Sequence, residues 1–160
     1  MTKVALSGAG GNMGRTIRVG LQKRGVDLRS AGGRTPLTPL HEGEDIMHGD
    51  LRDPAVVDRL LNGVDVLIHL AGTSVERPLP EIIENNLVGL YQVYEGARRN
   101  KVRRVIFASS NHAFGMVTNA NYRPPRAVTA ALKSHLAATA IPLRLVLVQI
   151  RSCRDGRLRL

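Results

Sequence analysis

The chain has 160 residues, 43% of them hydrophobic and 22% charged, with 16 glycines, a balance that excludes a disordered polymer and lets one domain bury a core. The formal charge of +10 is concentrated at one end: residues 1–122 carry fifteen Lys/Arg against twelve Asp/Glu, and residues 123–160 carry eight against one. That basic end contains no aromatic residue on which a base could stack, so a nucleic-acid partner is not expected.

No apolar run reaches the 18 or so residues of a membrane-spanning helix, so no membrane partner is expected. Cys153 is the single cysteine, which rules out an internal disulfide. With an N-terminus that leads straight into a strand rather than a signal peptide, the expected location is the cytoplasm.

Val4 to Leu6 reads as a buried strand, and Arg15 to Lys23 reads as a helix. Between them Gly8, Gly11 and Gly14 stand at G-x-x-G-x-x-G spacing. In a strand–turn–helix setting each glycine has a job. The first allows the tight turn, the second lets a pyrophosphate approach bare backbone, and the third lets helix and strand pack closely. The phosphates would then sit on the positive end of the helix.

Val26 to Ser30 reads as the second strand. Folds that prefer NAD end this strand in Asp or Glu, which binds the ribose 2′-OH. Here Ala31-Gly32-Gly33-Arg34 follows instead. With no carboxylate available, Arg29 and Arg34 stand where a 2′-phosphate would sit, and the expected cofactor is NAD or NADP with a lean to NADP.

Pro36, Pro39 and Gly43 mark a loop, and Asp45 to Leu51 reads as a short third strand with its exit. Pro54 to Leu61 reads as a helix with Val56, Val57, Leu60 and Leu61 on one face. Val64 to Leu70 has the density of a buried parallel strand and runs into the small-residue turn Ala71-Gly72-Thr73-Ser74. A long helix is expected from Pro80 to about Asn100, with Ile82, Ile83, Leu87, Leu90, Val93, Tyr94 and Ala97 as its apolar stripe.

Val105 to Ala108 is the next strand, closing in Ser109-Ser110-Asn111-His112. Strand and helix alternate four times. The expected class is α/β: a Rossmann-type, doubly wound parallel sheet in three α/β/α layers. His112 has no second histidine or carboxylate at ligand spacing, so no metal is expected; His41, His48, His69 and His135 read as ordinary residues.

These motifs, in this order, resemble those of the extended short-chain dehydrogenase/reductases, the NAD-dependent epimerase/dehydratase family. Residues 72–78, 86–91 and 107–112 are similar to the uronate dehydrogenases within it, and the likeness covers about residues 3–122. The resemblance implies that Gly8, Gly11, Asn12, Met13 and Gly14 hold the pyrophosphate. Asp50 and Leu51 would meet the adenine, and Leu70, Ala71, Gly72 and Thr73 would line the nicotinamide side, with Asn86 supporting the site. Ser110 matches the catalytic serine that bonds the reacting hydroxyl; Ser74, Asn111 and His112 match residues that contact a sugar acid such as a uronate. The long helix resembles one that pairs across a dimer, which leaves a homodimer open.

The same resemblance calls for Y-x-x-x-K on the helix after the serine strand, where the lysine lowers the tyrosine's pKa and the phenolate takes the substrate's proton. No such spacing occurs: Tyr91, Tyr94 and Tyr122 are followed four residues later by Glu95, Arg98 and Arg126. Two parts are therefore expected, a dinucleotide-binding Rossmann domain over 1–122 and an atypical basic tail over 123–160. In the tail, Ala127 to Ala140 could form a helix and Leu143 to Ile150 a strand completing the sheet. The expectation is a truncated, catalytically impaired copy of a sugar-acid or uronate dehydrogenase, without the substrate domain. The alternative is a non-catalytic dinucleotide-binding module or redox sensor.

Overall fold

A computed structural model describes residues 2–33, 36–109 and 144–149. The first strand, β1 (Lys3–Ser7), places Val4 and Leu6 on one face of the sheet and Ala5 on the other. A strand buried on both faces has little use for polar residues, and β1 carries only Ser7 in its buried stretch. Helix α1 (Asn12–Gln22) follows, then β2 (Asp27–Gly32) and β3 (Asp45–His48). Next come α2 (Pro54–Leu61) and β4 (Val66–His69). A long helical stretch consists of α3 (Leu79–Ile82), a π-helical segment (Ile83–Val88) and α4 (Gly89–Arg99), and β5 (Arg104–Ser109) and β6 (Arg144–Gln149) complete the described strands.

All six strands are parallel, in the order β3-β2-β1-β4-β5-β6. The order reverses between β1 and β4, so the loops leaving these two strands diverge to opposite faces and open a crevice at their carboxyl ends. Ser7, the last residue of β1, pairs with Ala31 on one side and His69 on the other. The crevice therefore opens directly above Ser7.

Two cores hold the layers together. One face of the sheet gives Ala5, Leu67 and Val105 to Val57, Leu60 and Leu61 of α2 and to Val93 and Ala97 of α4. The other gives Val4, Leu6 and Leu28 to Ile17 and Leu21 of α1. Helix α2 starts where the sequence places it, because Asp53 accepts a hydrogen bond from the Ala55 N–H and Pro54 occupies a first-turn position that needs no N–H. Helices α2 and α4 approach closely at Gly96, where a Cβ would overlap the Val57 side chain.

The expected stripe on the long helix is only half right. Val93 and Ala97 are buried, but Leu87 is 62% exposed and Ile83 39% exposed, in line with Leu79 and Tyr91. The cause is the π-helical segment, where the Gly89 N–H bonds to the Glu84 carbonyl five residues back. Each such turn holds one residue more than an α-turn and rotates the preceding residues relative to those that follow. A 3.6-residue period carried across it points the wrong side inward.

Candidate functional site

The crevice is a cleft of about 560 Å³, lined on one side by Gly8, Ala31, Gly32 and Gly33. Asp50, Leu51 and Arg52 form one end of the lining, and Ala71, Gly72, Thr73, Ser74 and Arg77 the other. Seven of the residues picked out in the sequence thus share its wall: Gly8, Asp50, Leu51, Ala71, Gly72, Thr73 and Ser74. Its size suits a ligand of cofactor dimensions.

The three glycines differ in what demands them. Gly8 has φ +72°, and a Cβ there would lie 2.8 Å from the Ala71 nitrogen. Gly14 is buried, and a Cβ would overlap the Gly8 carbonyl oxygen and the Ala9 backbone. Gly11 is exposed, and a Cβ would meet only the Gly8 oxygen, at 3.4 Å. The protein itself does not need glycine at position 11. Gly11 lies beside the cleft rather than among the residues that line it.

Gly11 also caps α1, with no side chain bonded to the helix N-terminus, so the first-turn N–H groups around Asn12 and Met13 are not satisfied by a capping side chain. An uncapped, positive helix end next to a glycine turn suits a phosphate group. Leu70 stands behind the turn, where its N–H donates to the Ser7 carbonyl at 3.2 Å and it packs on the α1-side core.

At the Asp50 end, Arg52 holds the carboxylate in a fork, with its Nε within 3.0 Å of both oxygens and its terminal nitrogen 2.5 Å from Oδ2. The same guanidinium stands 3.8 Å from Glu84. Asp50 pushes the Arg52 pKa up, first through these hydrogen bonds and then through its charge.

Asn86 supports the opposite end. Its Oδ1 accepts from the Thr73 N–H at 2.6 Å, and its Nδ2 donates to the Thr73 carbonyl at 2.9 Å. Both polar groups of one loop residue are fixed by one side chain. Asn86 thereby fixes the Thr73 backbone at the cleft wall.

Two arginines were expected to face a 2′-phosphate. Arg29 does not. It lies in the middle of β2, opposite Ala5, and its guanidinium caps the carboxyl end of α2. One terminal nitrogen bonds the carbonyls of Arg59, Leu60 and Asn62 at 2.8–3.0 Å, and Nε bonds Asp45 at 2.5 Å. A strand residue three positions before the carboxyl end lies too deep to reach the crevice, and the α2 carbonyls hold its guanidinium there. Arg34 lies outside the described residues, as do Ser110, Asn111 and His112.

Beneath the crevice lie Ser7 and His69, the second of which has the pattern of an ordinary residue in the sequence. Ser7 Oγ and His69 Nδ1 share a 2.6 Å hydrogen bond, and the His69 ring stacks on Phe107. Burial pulls the His69 pKa down to about 4, so the ring is neutral at ordinary pH. At the side, Arg18 forks onto Glu44 at 2.8 and 2.9 Å, and Glu44 also accepts from Ser30 and from the Leu40 N–H. Burial would raise the Glu44 pKa, but these hydrogen bonds and the Arg18 charge outweigh it and hold it at about 2.

Neither described tyrosine lines the cleft. Burial pushes the Tyr94 hydroxyl up to about 12, opposite to what proton abstraction at neutral pH requires, and Tyr91 is 62% exposed on the helix.

A family model described as the NAD dependent epimerase/dehydratase family matches residues 4–138. Uronate dehydrogenase of Pseudomonas syringae pv. tomato is 41% identical over 113 residues, which are 71% of this chain and 41% of that protein. The uronate dehydrogenase of Agrobacterium fabrum is 39% identical over 115 residues, 72% of this chain and 43% of that protein. The crystal structure of uronate dehydrogenase from Agrobacterium tumefaciens superposes with a TM-score of 0.78 at 32% identity, covering 98% of this chain and 63% of that one. A mutant of the Agrobacterium tumefaciens enzyme, complexed with NAD, gives a TM-score of 0.76 at 33% identity, covering 96% of this chain and 62% of that one. The chain thus spans about two fifths of the length of these curated relatives.

Proposed function

Because the chain belongs to the NAD-dependent epimerase/dehydratase family, we propose that its crevice is the dinucleotide site of an NAD-dependent oxidoreductase acting on a uronic acid. The observation that supports this reading is the glycine turn: Gly8 and Gly14 are demanded by the protein's own packing, whereas a Cβ at Gly11 would meet only the Gly8 oxygen, so packing does not account for that glycine. In this assignment Gly11, Asn12 and Met13 offer the pyrophosphate bare backbone at the N-terminus of α1. Asp50 and Leu51 meet the adenine, and Leu70 to Thr73 line the nicotinamide side. Ser74, Asn111 and His112 contact the uronate, and Ser110 bonds the reacting hydroxyl. The dinucleotide, when bound, accepts the hydride.

NAD is the cofactor assigned. It is supported by the NAD complex of the solved mutant similar to this chain, and the withdrawal of Arg29 removes half the basis for NADP. Arg34 is the remaining residue that would favour a 2′-phosphate, so parallel titrations with NAD+ and NADP+ decide the point.

Chemistry is the weaker half of the function. With no Y-x-x-x-K in the sequence and Tyr94 pushed the wrong way, no residue named above takes the substrate's proton. Loss of a positioned base lowers the rate on the order of 10²–10⁴-fold. This favours a second reading, a module that holds a dinucleotide with little turnover and serves as a redox sensor. Both are tested by mixing the purified chain with NAD+ and galacturonate or glucuronate and following NADH. The expected result is binding without appreciable turnover, whereas rapid NADH formation refutes the impairment. A homodimer through the exposed Leu79, Ile83, Leu87 and Tyr91 is also part of the proposal.

A further inference from the structure

Two adjacent asparagines on a regular helix point about 100° apart and rarely serve the same target. Asn85 and Asn86 do. Both lie in the π-helical segment, and both bond Thr73: Asn86 holds its backbone, and the Asn85 Nδ2 donates to the Thr73 Oγ1 at 3.0 Å. Thr73 and Asn85 each line the cleft.

The direction of that last bond decides where the hydroxyl proton goes. An amide nitrogen only donates, so Thr73 Oγ1 is the acceptor, and its own hydrogen is left for another partner. Among the described residues Thr73 Oγ1 makes no other hydrogen bond. Thr73 and Asn85 both line the cleft, so an oxygen of a cleft occupant can take that hydrogen.

We infer that Asn85 is a further positioning residue of this site: it holds the Thr73 hydroxyl as an acceptor, so that the hydroxyl donates its proton to a phosphate or ribose oxygen of the bound dinucleotide. The inference rests on the dinucleotide reading above. It also gives the π-helical turn a purpose, since an α-turn would carry Asn85 away from Thr73 while Asn86 kept its place.

The test is calorimetric titration of the full chain with NAD+, with the thermal midpoint of each unliganded variant as the folding control. Thr73→Ser, which keeps the hydroxyl, should bind like the starting protein. Thr73→Val should bind about tenfold more weakly. Asn85→Asp is nearly isosteric, but its carboxylate can only accept. It turns the hydroxyl proton away from the cleft, so it should weaken NAD+ by a similar factor. In a double-mutant cycle with Thr73→Val the second loss should disappear, because both changes remove one interaction.

Additive losses, or an Asn85→Asp variant that binds normally, overturn the inference while leaving the dinucleotide site standing. A fall in unliganded stability with unchanged affinity makes Asn85 structural and also overturns it. If the unsubstituted chain itself fails to bind NAD+, the dinucleotide reading falls and takes this inference with it.

Discussion

Gly11 and Gly14 stand three residues apart in one motif, yet alanine should affect them in opposite ways. Gly14→Ala drives a Cβ into the Gly8 carbonyl and the Ala9 backbone, neither of which can move aside without distorting the turn. Overpacking of this kind lowers stability by about 1–3 kcal/mol, which a urea titration would register. Gly11→Ala meets only one oxygen at contact distance and should change stability by less than about 0.5 kcal/mol while weakening NAD+. If both variants lost stability alike, Gly11 would be a structural glycine and its proposed place at the pyrophosphate would fall. The spacing in the sequence announced the motif but not this division, which depends on what each missing Cβ would touch. Arg29 shows the limit more sharply: its charge was visible, but that three carbonyls at the end of α2 would claim it was not, since they lie 30 and more residues away.

Helix boundaries were legible where a cap fixes them, as Asp53-Pro54 does for α2. The long helix was legible as a helix but not in its phase. Periodicity assumes one pitch throughout, and the π-helical segment breaks it, so the predicted stripe holds from Val93 onward and fails before Gly89. Gly96→Ala places a methyl against Val57 and should lower stability by about 1–3 kcal/mol, measured by urea midpoint. Leu87→Glu, on the exposed side, should leave the unfolding free energy within about 0.5 kcal/mol while shifting any dimer toward monomer in analytical ultracentrifugation. A strongly destabilised monomer would mean that Leu87 is packed after all.

Across the whole molecule, stability should fall with acid in two overlapping stages. His69 is held at about 4 in the fold against 6.5 when unfolded. Between those values the unfolded chain carries a proton that the native state refuses, so stability drops as pH falls from 6.5 to 4, by about 3 kcal/mol in all. Glu44, held at about 2 against 4.5, adds a second loss of similar size as pH falls from 4.5 to 2. His69→Gln should flatten the first stage and leave the second, as followed by urea midpoint against pH; an unchanged first stage would assign it elsewhere. Alternation of strand and helix made the doubly wound class legible, and the observed order β3-β2-β1-β4-β5-β6 places its reversal beside Gly8 and Gly72, where the motifs had pointed. The buried pairs beneath and beside the crevice were not legible, because Ser7 and His69 are 62 residues apart and Arg18 and Glu44 are 26. The dinucleotide site is tested most directly by titrating the chain with NAD+ while following its thermal midpoint. A ligand that binds only the folded form adds about 2.7 kcal/mol at a hundred times its dissociation constant. A saturable rise of several degrees, abolished by Gly11→Ala in a chain that still folds, is the predicted result. A cooperative transition that millimolar NAD+ and NADP+ both leave unmoved would contradict it.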